Sequence, residues 1–384
     1  MNYATSADQK SIAQSARAFS EKWLDPIAES LDHNGAFPRA IVEELAAQNF
    51  LGLLLPKELG GAEACFVSHV EVVLALSRSC PAVASILNNH ALAAFAIAEW
   101  GNDDQKKRYL PALAKGKQLG AIAIYESGAA LGIGHDALLA SRTDRKFTLN
   151  GAKAFVRNAG AADIYVVFAT LEPPALTAFI VDSTAPGLAI GPPLETMGLR
   201  GCPVAHLVFD NVPITQDAIL GAENGGGPIV TRLLALGSVA EAAQTVAIGH
   251  AAIAHAAEFA RYRVQFRHPV ADFQAIQALL AEVTTDSHLA WQGVQRTAQL
   301  IDEKAPFETE AAMVKVFLGR FGAKMLIDAC QVEGGLGISE VAPAHIHKFM
   351  SLARMFRDIV GTTLLDAPGD FPDELIAESL SLKH

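Results

Sequence analysis

Charge is what this sequence has little of. Only 18% of its 384 residues are charged, and they sum to a net −11. A sequence-independent nucleic-acid binder, which needs a basic face, is thereby excluded. Cysteine is scarcer still. Cys65, Cys80, Cys202 and Cys330 lie far apart with no paired spacing, which argues against a zinc site and against a disulfide framework. Nor is there an uninterrupted apolar run of about 18 residues, so no membrane span is expected. The longest apolar region, Leu233 to Ala260, is broken by Glu241, Gln244, His250 and Glu258. Asp8 and Lys10 sit inside a helical pattern at the N-terminus, where a signal peptide would have an apolar core. With 51% of its residues hydrophobic, the chain is expected to be a soluble, cytoplasmic protein folded into two or three packed units.

What is present changes texture twice. Over residues 1–117 the pattern is helical. Ser6 followed by Gln9 reads as a capping box, and Ile12, Ala16, Phe19 and Trp23 form one apolar stripe behind it. Over residues 118–225 short β-prone runs take over: Ala121 to Ile124, Lys146 to Leu149, Ile164 to Phe168, Ala178 to Val181 and Leu207 to Phe209. Asn150-Gly151, Pro173-Pro174, Pro186-Gly187 and Asp210-Asn211 separate them, which predicts a small barrel or sandwich. Over residues 226–384 long alanine-rich helices return. Ile276, Leu280, Val283, Ser287, Ala290, Val294 and Ile301 trace one helix face, and a four-helix bundle is expected. The fold class is therefore multidomain: an N-terminal helical domain, a central small β-barrel and a C-terminal helical bundle.

Several short motifs follow in order along this frame. They are Leu51 to Gly61 (LGLLLPKELGG), Tyr125-Glu126-Ser127-Gly128, Asn150 to Asn158 (NGAKAFVRN), Met197 to Arg200 (MGLR) with Leu207 to Pro213, Arg263 to Phe266 with Gln274, and Gln331 to Gly337 (QVEGGLG). Taken in order, they resemble the signatures of the acyl-CoA dehydrogenase family across the whole chain. The resemblance implies an acyl-CoA substrate and FAD bound between subunits, near Ile124, Tyr125, Phe155, Arg157, Arg263, Phe266, Gln274, Gln331, Gly334, Gly335 and Thr362. Such cross-subunit binding implies a dimer at least, and the family a homotetramer, with electron-transfer flavoprotein as the redox partner. An arginine fork suits a pyrophosphate, and paired glycines let backbone approach a ligand closely.

Some positions depart from the family pattern. Arg267 replaces a glycine after Phe266, and Leu131 and Gly132 stand where a serine and an aspartate are usual. Phe155 stands for the tryptophan that packs on the flavin, an aromatic for an aromatic. Arg157 stands for a hydroxyl residue near flavin N5. It either stabilises reduced flavin electrostatically or turns away to pair at a subunit surface. The base position falls on Val360, which cannot take a proton. A minority branch carries its glutamate elsewhere, and that position falls on Gly237, followed by Ser238. Glu241, one helical turn on, is a candidate base. So is Asp358, which would share a side with Val360 on an extended segment and is otherwise an exposed loop acid. Glu126 and Glu333 read as structural partners and His90 as either a pocket or a core histidine; no base is assigned.

Other motifs carry less. His345 and His347 have no cysteine partner for a metal, and Gly225-Gly226-Gly227 lacks the lysine of a phosphate loop and reads as a domain connection. Three functions stay open. The first is an acyl-CoA dehydrogenase-type oxidoreductase with altered or lost α-proton abstraction. The second is a non-catalytic subunit in a heteromer with an active paralogue, and the third a flavin-dependent monooxygenase of the same fold.

Overall fold

A computed structural model describes residues 6–126, 138–144, 146–173, 175–340, 350–364 and 370–381. Ser127, Gly128, Leu131, Gly132, His345 and His347 lie outside the described residues.

The chain opens with helices α1 (Ala7–Phe19), α2 (Ala28–Asn34), α3 (Arg39–Ala47), α4 (Phe66–Ser77), α5 (Pro81–Trp100) and α6 (Asp103–Ala114). The Ser6–Gln9 capping box forms as its spacing predicts, each side chain accepting the other's backbone N–H. Asn102 and Gln105 repeat the device at α6. There Gln105 Nε2 also donates to the carbonyls of Asp217 and Ile219, both at 2.8 Å, and so ties the helices to the β domain.

Strands β1 (Gly120–Ala123), β2 (Leu139–Thr143), β3 (Lys146–Arg157), β4 (Ile164–Glu172), β5 (Ala175–Asp182), β6 (Leu188–Ile190), β7 (Val204–Thr215) and β8 (Ile219–Leu220) form one sheet. Its order is β6-β7-β3-β2-β4-β5-β8, with β1 added in parallel to β4. The continuous apolar run of β4 reflects burial on both faces. Ile164, Val166 and Phe168 enter the large core shared with the helices, while Tyr165, Val167 and Ala169 fill the β domain's own core.

The C-terminal part comprises α7 (Gly226–Tyr262), the hairpin β9 (Val264–Gln265) and β10 (His268–Pro269), α8 (Gln274–Asp302), α9 (Glu308–Glu333), α10 (Leu352–Leu364) and α11 (Asp370–Ser379). Val283, Ser287, Ala290, Val294 and Ile301 are buried along α8, as the stripe predicts. Gly226 is not in a connection: it opens α7. Helices α5 and α7 are long and apolar enough to span a membrane by length and composition, yet 89% of each apolar window is buried within the protein. They are apolar all round because packing surrounds them.

One expectation fails outright. The segment holding Asp358 and Val360 is not extended but helical, within α10. Its buried Leu352, Met355 and Ile359 recur at helical spacing, and this stripe outweighs the strand propensity of Ile359-Val360. Residues two apart on a helix point to opposite sides, so Asp358 does not share a side with Val360.

Candidate active site

A cleft with about 400 Å³ of empty space, partly open to solvent, lies where three layers meet. Asn89 and Leu92 come from α5, Leu233, Leu234 and Gly237 from α7, Ile122 from β1 with Ile124 and Tyr125 just after it, and Ala154 to Arg157 from β3. The Ala154 N–H donates to the Tyr125 carbonyl at 2.8 Å and draws the two strand ends together. Register between β3 and β7 then slips, Lys153 facing Leu207 but Val156 facing Ala205. The extra residue makes a bulge, the usual device for re-aiming a side chain. Phe155 sits in it at φ +52° and is 52% exposed, its ring edge-to-face with His206. An exposed ring on a left-handed backbone is costly unless something covers it.

Beneath the cleft lies a buried ionic cluster. Arg157 and Lys315 both pair with Glu241, Lys315 Nζ at 2.6 Å from Oε2. Lys315 also donates to the Thr362 carbonyl at 3.2 Å. Thr245 Oγ1 donates to the Glu241 carbonyl and lies 3.2 Å from Thr362 Oγ1. Asn89 Nδ2 donates to the Arg157 carbonyl at 2.7 Å. Arg157 therefore turns neither to a subunit surface nor away from the protein; it turns into the core. Glu241, held between two cations, acts as their counter-ion and does not line the cleft.

The other acids have structural partners. Glu126 accepts from Lys153 Nζ at 2.6 Å and from the Leu138 N–H at 2.8 Å, and burial pushes the Lys153 ammonium down to about 8. Glu333 pairs with His255 at 2.8 Å, both buried. Asp358 is not the exposed acid expected of a loop. It is 2% exposed, accepts the Leu199 N–H at 2.6 Å and lies 3.5 Å from Arg354, and burial pushes its carboxyl up to about 6. It fixes the Gly198-Leu199 loop against α10. His90 is a core histidine whose Nδ1 accepts the Gly120 N–H at 3.0 Å, and burial pushes it down to about 4. Val360 is half-buried against the large core.

This architecture has known counterparts. Residues 6–117 match the acyl-CoA dehydrogenase N-terminal domain, 126–212 the middle domain and 224–380 the C-terminal domain. The chain belongs to the acyl-CoA dehydrogenase family. An acyl-CoA dehydrogenase of Bacillus subtilis is 32% identical over 97% of this chain and 98% of its own. A 3-(aryl)acrylate reductase of Clostridium sporogenes is 32% identical over 96% and 97%. The structure of butyryl-CoA dehydrogenase from Megasphaera elsdenii superposes with a TM-score of 0.93 at 29% identity, covering 99% of this chain and all of that one.

The cofactor of the acyl-CoA dehydrogenase family is FAD, and the family motifs fall in separate places here. Ile124, Tyr125, Phe155 and Arg157 gather at the cleft, and Thr362 joins the cluster below it. Arg263, Phe266 and Gln274 are exposed around the β9–β10 hairpin, Phe266 at 86%. Gln331, Gly334 and Gly335 are exposed at the end of α9, with no atom within 4 Å of where either glycine would carry a Cβ. A flat ring at Phe155 and a close-approaching polar group at the glycines both fit these residues. Arg263 follows Gly237 by 26 residues along α7. At a helical rise of about 1.5 Å per residue that is about 39 Å.

Lys315 escaped the sequence reading, though its signal is there. It replaces an apolar residue on the buried stripe of Ala311, Ala312, Leu318 and Phe321 in α9.

Proposed function

We propose that this protein is an FAD-dependent oxidoreductase acting on the CH–CH bond next to the carbonyl of an acyl thioester. The observation that carries the reading is the cleft, where the β3 bulge turns Phe155 outward opposite apolar Leu92, Leu233 and Leu234. When bound, FAD supplies hydride acceptance from the β carbon. The chain's own residues do the rest. Phe155 and Tyr125 flank the place for a flat ring, and the three leucines exclude water around an acyl chain. The Asn89 bond to the Arg157 carbonyl holds the end of β3 in place. Among the described residues lining the cleft none carries a carboxylate to take the α proton, so turnover is slow.

About 39 Å along α7 is too far for the hairpin to serve its own chain's cleft, which supports completion of each site by a second copy. The assembly we favour is a homotetramer in the cytoplasm that passes electrons to electron-transfer flavoprotein. The same lack of a lining carboxylate favours a second reading, a non-catalytic subunit that lends its hairpin and glycine turn to an active paralogue. Anaerobic titration of the FAD-loaded protein with a panel of acyl-CoAs separates the two. Bleaching of the flavin absorbance supports the oxidoreductase; bound flavin that stays oxidised with every thioester refutes it.

A further inference from the structure

A second cavity lies apart from the cleft and shares no lining residue with it. It holds about 1080 Å³ of empty space, partly open to solvent. Its walls are the start of α6, the ends of β5 and β7, and the helical turn Gln216–Ala218. Three carboxylates, Asp104, Asp182 and Asp217, face one guanidinium, Arg108, among its described lining residues. Arg108 lies 3.6 Å from Asp182 and 4.9 Å from the centroid of the Tyr109 ring, so its charge is already engaged. Asp104 and Asp217 have no ion pair among the described residues.

Carboxylates alone would make a solvated surface; Tyr109 makes this a site. It lines the cavity yet is only 6% exposed, and its hydroxyl has no hydrogen-bond partner among the described residues. A hydroxyl left unpaired at such burial is unfavourable. Burial pushes the hydroxyl above its ordinary range, and Asp182 and Asp217 close by push it the same way. It therefore stays neutral, with lone pairs to offer. The cavity is rich in acceptors and poor in donors, whereas a primary ammonium has three donors and no acceptor. Pro186 and Pro213 are exposed in the same walls and give methylene groups an apolar surface. An anion would meet three carboxylates for a single guanidinium that is already paired, and the chain's net charge of −11 draws cations.

We infer that this cavity binds an aliphatic diamine across the seam between α6 and the β domain. Tyr109, Asp182 and Asp217 take one ammonium, and Asp104 takes the other. The site is independent of the acyl-thioester reading.

The test is calorimetry at low salt on the full chain with FAD present. Cadaverine is compared with pentylamine, which has one ammonium, and with the matching diol, which has the length and no charge. Cadaverine should fill one site about 10-fold or more tighter than pentylamine, and the diol should not bind. Tyr109→Phe removes one oxygen and no existing hydrogen bond. It should melt with the wild type and bind cadaverine about 10-fold more weakly. Because this variant keeps every charge, its loss of affinity separates a built site from general attraction to an acidic surface. Asp217→Asn should weaken cadaverine to a similar degree. Equal binding of cadaverine and pentylamine overturns the inference, as does undiminished affinity in Tyr109→Phe and Asp217→Asn. A lowered melting temperature in Tyr109→Phe would show that the hydroxyl is satisfied within the protein, and overturns it too.

Discussion

Replacing Glu241 by glutamine is the sharpest probe of the ionic cluster. The amide keeps the volume and removes only the charge, so no cavity term enters. What remains is two cations, Arg157 and Lys315, whose side chains are 4% and 8% exposed. Removing one partner of a buried ion pair costs about 3–5 kcal/mol, a large share of the ~5–15 kcal/mol that holds a typical domain folded. Lys315→Met should cost less, about 1–3 kcal/mol, because Glu241 keeps Arg157 as a counter-ion. The triple change Arg157→Met, Glu241→Leu, Lys315→Met removes all three charges together and should be neutral to within about 1 kcal/mol or stabilising. Amide hydrogen exchange of α7 peptides, followed by mass spectrometry, reads local opening without requiring the whole chain to unfold as one unit. Protection in Glu241→Gln within about 1 kcal/mol of wild type would refute the view that Glu241 neutralises the two cations.

Three further outcomes follow from the same geometry. Asp358 has a raised carboxyl, about 6 against an ordinary 3.8. Its stabilising contribution is therefore present below pH 4 and lost as pH rises to about 6. Relative to Asp358→Asn, the wild type should lose roughly 2–3 kcal/mol over that window in urea titrations, and parallel pH profiles would contradict this. Gly198→Ala places a Cβ 2.2 Å from the Arg357 carbonyl oxygen. It should lower the urea midpoint by an amount equivalent to about 1–3 kcal/mol or more, and an unchanged midpoint would mean that the loop does not sit against α10. Arg267 occupies the hairpin turn at φ +70°. Arg267→Gly should raise the melting temperature by the equivalent of up to about 1 kcal/mol; a lower melting temperature would show that the arginine side chain makes a compensating contact.

Much of this fold was legible because it is written in local pattern. Ser6 and Gln9 cap α1 across three residues, and the seven-position stripe from Ile276 to Ile301 needs only helical periodicity to place its face. The order helices, strands, helices likewise follows from period and turn residues. The ionic cluster was not legible, for a physical reason. Arg157 and Glu241 are 84 positions apart, and Glu241 and Lys315 are 74. Nothing in a local window distinguishes a buried arginine from a surface one. Asp358 failed differently: it was expected on an extended segment or an exposed loop, and only the buried spacing of Leu352, Met355 and Ile359 marks the segment as helix. The cleft was half visible, since the strand motif around Phe155 pointed to it while Leu233 and Leu234 lay hidden in a long helix whose apolar residues form no single stripe.

The length of α7 has a consequence for anyone measuring cofactor affinity. One rigid rod carries a wall of the cleft near its start and the hairpin at its far end. If each dinucleotide is closed over by another copy's hairpin, cofactor uptake and subunit association are a single linked equilibrium. The apparent dissociation constant for FAD would then climb as the protein is diluted, and added FAD would drive association by the same free energy. An affinity measured at one protein concentration would describe that concentration alone.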